Sequence, residues 1–168
     1  MTDVLGRTYD DQVCSIARSL GVLGDRWTLL IVRDVLLGLH RFEEFQHSLG
    51  VARNVLADRL NRLVDADVLE RVPYQQRPVR YDYQLTATGR ELAVPLIGLM
   101  HWGDRHLADS AGPPRMTRHR DCGGALHATL TCADCGQPVP AAAVEVLPGP
   151  GLRGDGEAVS RLRSTRSS

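Results

Sequence analysis

Two short runs carry the residue types that bind metals. His119-Arg120-Asp121-Cys122-Gly123 and Cys132-Ala133-Asp134-Cys135-Gly136 share the form ligand-x-x-ligand-Gly, with nine residues between Cys122 and Cys132. Two ligands from one tight turn can reach the same ion, and the glycine accommodates the turn. Three Cys and one His suit tetrahedral zinc with no open position for substrate. The spacing predicts a zinc-ribbon-like segment in which His119, Cys122, Cys132 and Cys135 hold one structural Zn2+. Residues 126–131 alternate loosely and are expected to form a strand linking the two turns. A segment this poor in apolar mass needs a metal to fold. Three readings compete: His127 in place of His119, a redox disulfide between Cys132 and Cys135, and cysteines without a ligand. Pro138 and Pro140 argue against the helix that a redox Cys-x-x-Cys normally opens.

A second set of residues points to nucleic acid. On a helix expected from about Arg53 to Ala66, Leu56, Leu60, Leu63 and Val64 share an inward arc at 100° per residue. Asn54, Val55, Asp58 and Arg62 fall on the opposite arc, with Arg59 and Asn61 on its flanks, and Arg53 opens the helix. Arg pairs guanine edges and Asn pairs adenine edges in a major groove. An outward polar arc is also what any solvated helix face looks like. Arg77 and Arg80, beside Pro78, are placed to meet phosphates or a minor groove. Glu43, Glu44, Asp58, Asp65, Asp67 and Glu70 lie among these residues and reduce the attraction to a phosphate backbone.

The elements that position these residues follow from periodicity. Asp10-Asp11 are expected to start a first helix that carries Val13, Ile16, Ala17 and Leu20, with Gly21 and Gly24 interrupting it. Asp25 is expected to cap a second helix, Trp27 to Leu37, stopped by Gly38 and apolar enough to be core. A short helix runs from Glu43 to Leu49. Residues 68–72 and 80–85 read as strands joined by seven residues, a hairpin with an extended tip. A long helix then runs to about Asp109, kinked near Pro95, with Leu92, Leu96, Leu99, Gly103 and Leu107 on one face. Helix, helix, short helix, glycine turn, longer helix, hairpin, helix is the order of a winged helix-turn-helix: mainly α with a small β-hairpin wing.

Length and composition agree. The 168 residues suit one domain with a small appendage, and 43% apolar residues suffice for a core. Net charge is zero, and all 20 basic residues are Arg. This excludes a uniformly basic protein but not a local basic surface. Ala111-Gly112-Pro113-Pro114 reads as a linker. The expected organisation is therefore 1–110 for the winged helix, 111–151 for the linker and ribbon, and 152–168 for a disordered tail. No signal-peptide layout and no bilayer-length apolar run is evident, so a cytoplasmic protein with no membrane partner is expected. Gly-x-Ser-x-Gly, P-loop and His-Glu-x-x-His motifs are missing, and Gly149 to Gly154 matches a dinucleotide fingerprint only formally. No enzyme is expected.

The ordered landmarks Cys14, Leu23-Gly24-Asp25-Arg26-Trp27, Arg33-Asp34, Gly38 to Phe42, Glu44-Phe45, Leu56 to Leu63, Leu69-Glu70-Arg71, Tyr81 to Thr86 with Gly89, and Trp102-Gly103 resemble the HxlR-type branch of MarR-like winged-helix transcriptional regulators. The resemblance covers about half the chain. It implies a homodimer joined through its first and last helices, bound to a two-fold-related site on double-stranded DNA. It also implies that Cys14 is a candidate redox switch. A buried small hydrophobe is the alternative for that thiol. Two departures stand out: Ser15 where the family usually has Pro, and Val51-Ala52 where it usually has Ile-Ser. Ala52 has no side chain with which to cap the reading helix. The expected function is sequence-specific transcriptional regulation under a small-molecule or redox effector. The alternative is a protein-interaction adaptor that docks through the winged helix and ribbon.

Overall fold

The computed structural model describes residues 14–152. Asp10-Asp11, Val13 and the tail beyond Leu152 lie outside the described residues. The elements are α1 Ser15–Leu23, α2 Thr28–Leu36, α3 Phe42–Leu49, α4 Arg53–Asp65, β1 Leu69–Gln76, β2 Val79–Leu85, α5 Ala87–Glu91, α6 Ala93–His106, β3 Leu130–Thr131 and β4 Pro138–Val139, with a 3-10 turn at Ala141–Ala143. This is a winged helix-turn-helix with a small β-containing extension.

Ile31, Val32, Phe45, Leu56, Leu60 and Leu63 lose all solvent contact and centre the core. They come from α2, α3 and α4, the three helices whose apolar spacing is most regular. Truncating one such leucine costs about 2–5 kcal/mol. Gly38 ends α2 at φ +91, where Leu39 N–H reaches Asp34 C=O at 3.0 Å and Gly38 N–H reaches Val35 C=O at 3.0 Å. Gly50 ends α3 in the same left-handed region, at φ +61.

Several expected elements differ in detail. Gly21 lies inside α1, which runs on to Leu23. Asp25 does not cap α2. Its carbonyl accepts from Thr28 N–H at 3.1 Å, while its carboxylate is drawn to Arg59 at 2.8 Å. The hairpin has no extended tip: β1 and β2 pair from Leu69↔Leu85 to Gln76↔Val79, leaving Arg77-Pro78 as the turn. A bulge between Pro73 and Gln75 absorbs the proline that made this stretch look unpaired. The long C-terminal helix is two. Leu92 N–H bonds Gly89 C=O at 3.2 Å, and α6 restarts with Leu96 N–H on Leu92 C=O at 3.1 Å. Pro95 then falls in the first turn of α6, where a missing N–H costs nothing.

The described residues form two compact units, one Val22–Ala128 and one combining the described parts of Met1–Gly21 and Thr129–Ser168. The division falls after Ala128 and not at the proline linker. The chain beyond Gly112 returns to α6, where His101 Nε2 and Thr117 Oγ1 lie 3.1 Å apart. No helix among the described residues is long and apolar enough to cross a membrane.

Candidate nucleic-acid interface

The helix α4 is built as its spacing requires. Leu56, Leu60 and Leu63 are buried, and Arg53, Asn54, Asp58, Asn61 and Arg62 are exposed. Val55 is half-buried against the core rather than fully outward. Ala52 holds the cap position in extended backbone and makes no side-chain cap bond, so the first-turn N–H groups keep their donors. Asp67 ends the helix at φ 55, and Val68 N–H closes on Leu63 C=O at 2.9 Å.

The exposed arc is internally paired. Arg59 Nη1 lies 2.8 Å from both Asp25 and Asp58. Arg62 contacts Asp58 at 3.1 Å and Asp25 at 3.6 Å. Arg59 keeps only 17% of its side-chain exposure, and its Nε has no hydrogen-bond partner. Arg53 stacks over the Phe42 ring at 4.6 Å, which fixes its stem beside the helix start. Asn54 is exposed at that same end.

The wing presents its cations differently. Arg77 and Arg80 are exposed at and beside the turn, and neither forms an ion pair among the described residues. Behind them Arg41 stacks on Tyr74 at 4.7 Å and faces Asp82 at 3.6 Å. Arg71 donates to Asn61, tying the wing base to α4. The segment before α3 adds a third edge to the wing: Tyr83 N–H donates to His40 C=O at 2.7 Å, and Arg41 bridges to Asp82. Glu44 accepts the N–H groups of His40 and Arg41, each at 2.8 Å, and these donors hold its carboxyl below its ordinary value. The sequence marks Asp25 as a helix cap and Arg41 and Arg71 only as landmarks; their partners, Arg59 and Arg62, Tyr74 and Asp82, and Asn61, stand on other elements, where no local period announces them.

The Cys and His residues sit on two turns of the same shape, one in each unit. In the first, His119 N–H donates to Gly124 C=O at 2.8 Å, Gly123 N–H donates to His119 C=O at 2.8 Å, and Gly123 has φ +71. In the second, Cys132 N–H donates to Gln137 C=O at 3.0 Å, Gly136 N–H donates to Cys132 C=O at 2.9 Å, and Gly136 has φ +70. His119 Nδ1 stands 3.2 Å from Cys122 Sγ, which also accepts from Gly124 N–H at 3.4 Å. N–H groups of Cys135 and Asp134, with the Cys135 side chain, hold the Cys132 thiol below its ordinary value. The expected linking strand over 126–131 is replaced by two hairpins. Arg118 bridges Ala125 around one turn, and β3 pairs with β4 around the other. Each turn thus has its own return strand, and residues 126–129 connect them. Among the described residues no three His, Cys, Asp or Glu side chains are gathered closely enough to hold a metal. Cys14 is exposed just before α1, not buried on its apolar side.

Residues 22–111 match the HxlR-like helix-turn-helix family. An uncharacterized HTH-type transcriptional regulator of Mycobacterium tuberculosis is 41% identical over 139 residues, covering 83% of this chain and 88% of the relative. The crystal structure of PA1607, assigned as a transcription factor, superposes with a TM-score of 0.71 at 37% identity, over 81% of this chain and 95% of that one. PA1374 of Pseudomonas aeruginosa, assigned likewise, gives 0.58 at 42% identity over 88% and 99%. With its core helices followed by α4 and the β1–β2 hairpin, this chain belongs to the HxlR-like helix-turn-helix family and is a DNA-binding transcriptional regulator rather than an enzyme.

Proposed function

We propose that the protein is a homodimer that reads a two-fold-related DNA site, with α4 in the major groove and the wing on the flanking backbone or minor groove. One observation carries this reading: α4 buries its leucine face and leaves Asn54, Asp58 and Arg62 exposed beside a hairpin whose turn holds Arg77 and Arg80. Arg53, Asn54, Val55, Asp58, Arg59 and Arg62 supply the groove-facing set, and Arg77 and Arg80 the phosphate contacts. Support for a dimer comes from α6, which has no buried residue and leaves Val94 72%, Leu99 54% and Trp102 49% exposed. A helix this apolar needs a partner. The two reading helices then stand ~34 Å apart, one turn of DNA. A salt titration of binding to the DNA upstream of its own gene, against a scrambled duplex of equal length, tests the reading. Preference for the upstream DNA by ~10³ or more supports it. Equal affinity for both duplexes at every salt concentration overturns specific reading of that site.

The same reading includes one structural zinc on His119, Cys122, Cys132 and Cys135. Its support is that two turns of matching hydrogen-bond pattern each offer two donors of the type zinc takes. Bound zinc would supply a cross-link that little apolar surface can replace. One zinc per chain by elemental analysis, lost in Cys132→Ser, is the expected result. A metal-free protein of undiminished thermal stability overturns it. A thiol effector at Cys14 is supported by its exposure. Oxidation of Cys14 that leaves DNA affinity unchanged removes it from the reading.

A further inference from the structure

Within the Val22–Ala128 unit, α2, α6 and the segment after Gly112 line an open cavity of about 610 Å3, inside the ~300–1,000 Å3 range of small-molecule sites. It is lined by Leu30 of α2, Leu37 at that helix's C-cap, Leu96, Ile97 and Met100 of α6, and Leu126. No aromatic residue and no Asp or Glu lines it. Its rim carries Arg33, Arg115, Arg118 and Arg120. Arg33 is already engaged by Asp34, 2.7 Å away and only 1% exposed. Arg115, Arg118 and Arg120 form no ion pair among the described residues.

The segment that carries Leu126 is a built part of the fold. Leu126 N–H donates to Thr117 C=O at 3.2 Å, Arg118 bridges Ala125, and Thr117 is held by His101 of α6. Gly98 admits this segment closely: a Cβ there would stand 3.8 Å from that of Ala128. Arg115, Arg118, Arg120 and Leu126 lie beyond residue 111, where the family match ends, so part of the lining comes from the segment that follows the match.

We propose that this cavity binds an aliphatic carboxylate, its hydrocarbon tail between α2 and α6 and its head against Arg115, Arg118 and Arg120. Three uncompensated guanidiniums favour an anion over a neutral or cationic occupant, and their planar forks match a carboxylate. An aliphatic lining without a free hydrogen-bonding group favours an unsubstituted tail, because a buried polar substituent would go unpaired. The proposal goes beyond DNA binding, and its test contains no DNA, so failure of either reading leaves the other standing.

The test is calorimetric titration of the full chain with decanoate, with decyltrimethylammonium as a tail-matched cation and acetate as the head without a tail. Saturable binding of decanoate, one per chain and at least roughly tenfold tighter than either control, is expected. Arg115→Glu with Arg118→Glu should weaken decanoate by roughly tenfold or more, as should Leu126→Glu at a position already 38% exposed. Circular dichroism and Tm of both variants establish that they are folded. Equal binding of the cation, decanoate affinity unchanged in both folded variants, or no saturable binding overturns the proposal. So does a dimer that ignores decanoate and becomes monomeric on Leu126→Glu, since the groove then belongs to a second copy.

Discussion

On α4, Arg59 and Arg62 already touch carboxylates, Asp25 and Asp58. On the wing, Arg77 and Arg80 face water without an ion pair among the described residues. On the proposed reading, the difference gives the two regions different parts in binding. A paired arginine must exchange its carboxylate for a base edge, and a poor base match does not repay that exchange. Such residues discriminate between sequences. An unpaired arginine meets any phosphate, displacing counterions, and adds affinity without discrimination. Because exposed ion pairs are worth about 0–1 kcal/mol, the exchange at half-exposed Arg62 is cheap. Arg59 is more enclosed and touches both carboxylates, Asp25 and Asp58.

The comparison breaks most completely if the joint between the regions is wedged apart. Gly89 sits where the wing returns to the helices, and a Cβ there would lie 2.0 Å from Val68 C=O. Gly89→Ala should cost about 3 kcal/mol by overpacking, read as a lowered Tm, and should weaken every duplex alike. An unchanged Tm would show that Val68 and the wing base shift freely.

A smaller effect separates the regions directly. Arg77→Ala with Arg80→Ala should lower affinity for operator and scrambled DNA by the same factor. It should also flatten the dependence of log K on log salt by about 2, one per lost phosphate contact. Arg62→Ala should instead reduce discrimination by about 1–3 kcal/mol at one base position. If both variants change only the salt slope, α4 reads no sequence through Arg62.

Smaller again is the cap that joins α3 to the third edge of the wing. Glu44→Gln should cost about 1 kcal/mol of stability near neutral pH. Since the folded state holds the Glu44 carboxyl below its ordinary 4.5, its contribution is present above that value and lost as pH falls through the lowered one. The stability gap between Glu44→Gln and the parent should therefore close under acid, as urea titrations at two pH values would show. The smallest effect belongs to Asp25→Asn. It should change stability by less than about 1 kcal/mol while freeing Arg59 and Arg62 to raise non-specific affinity. Unaltered affinity for scrambled DNA would mean that Asp58 alone holds both arginines.

Much of the scaffold was legible because it is local. The 3.6-residue spacing of Leu56, Leu60 and Leu63 gave α4 within one residue, and Gly38 and Gly50 stopped their helices where left-handed backbone is needed. The pairing of β1 with β2 was underestimated because Pro73 and Pro78 look like breaks, whereas a bulge and a turn accommodate them. Asp25 was misread as a cap because a cap and an ion-pair partner use the same side chain, and only the approach of α4 decides between them.

The sequence by itself determined which faces of α2, α3 and α4 are buried, where those three helices stop and which two turns carry the Cys and His donors. Each of these depends on neighbours within a few residues and on the intrinsic geometry of helix, strand and glycine. The tertiary structure alone decided which arginines are paired and which are not, that Arg71 joins the wing to Asn61, and that the stretch after Gly112 lines an open cavity with α2 and α6. Charge pairing and cavity lining depend on distances between residues far apart in the chain, and no periodicity encodes them.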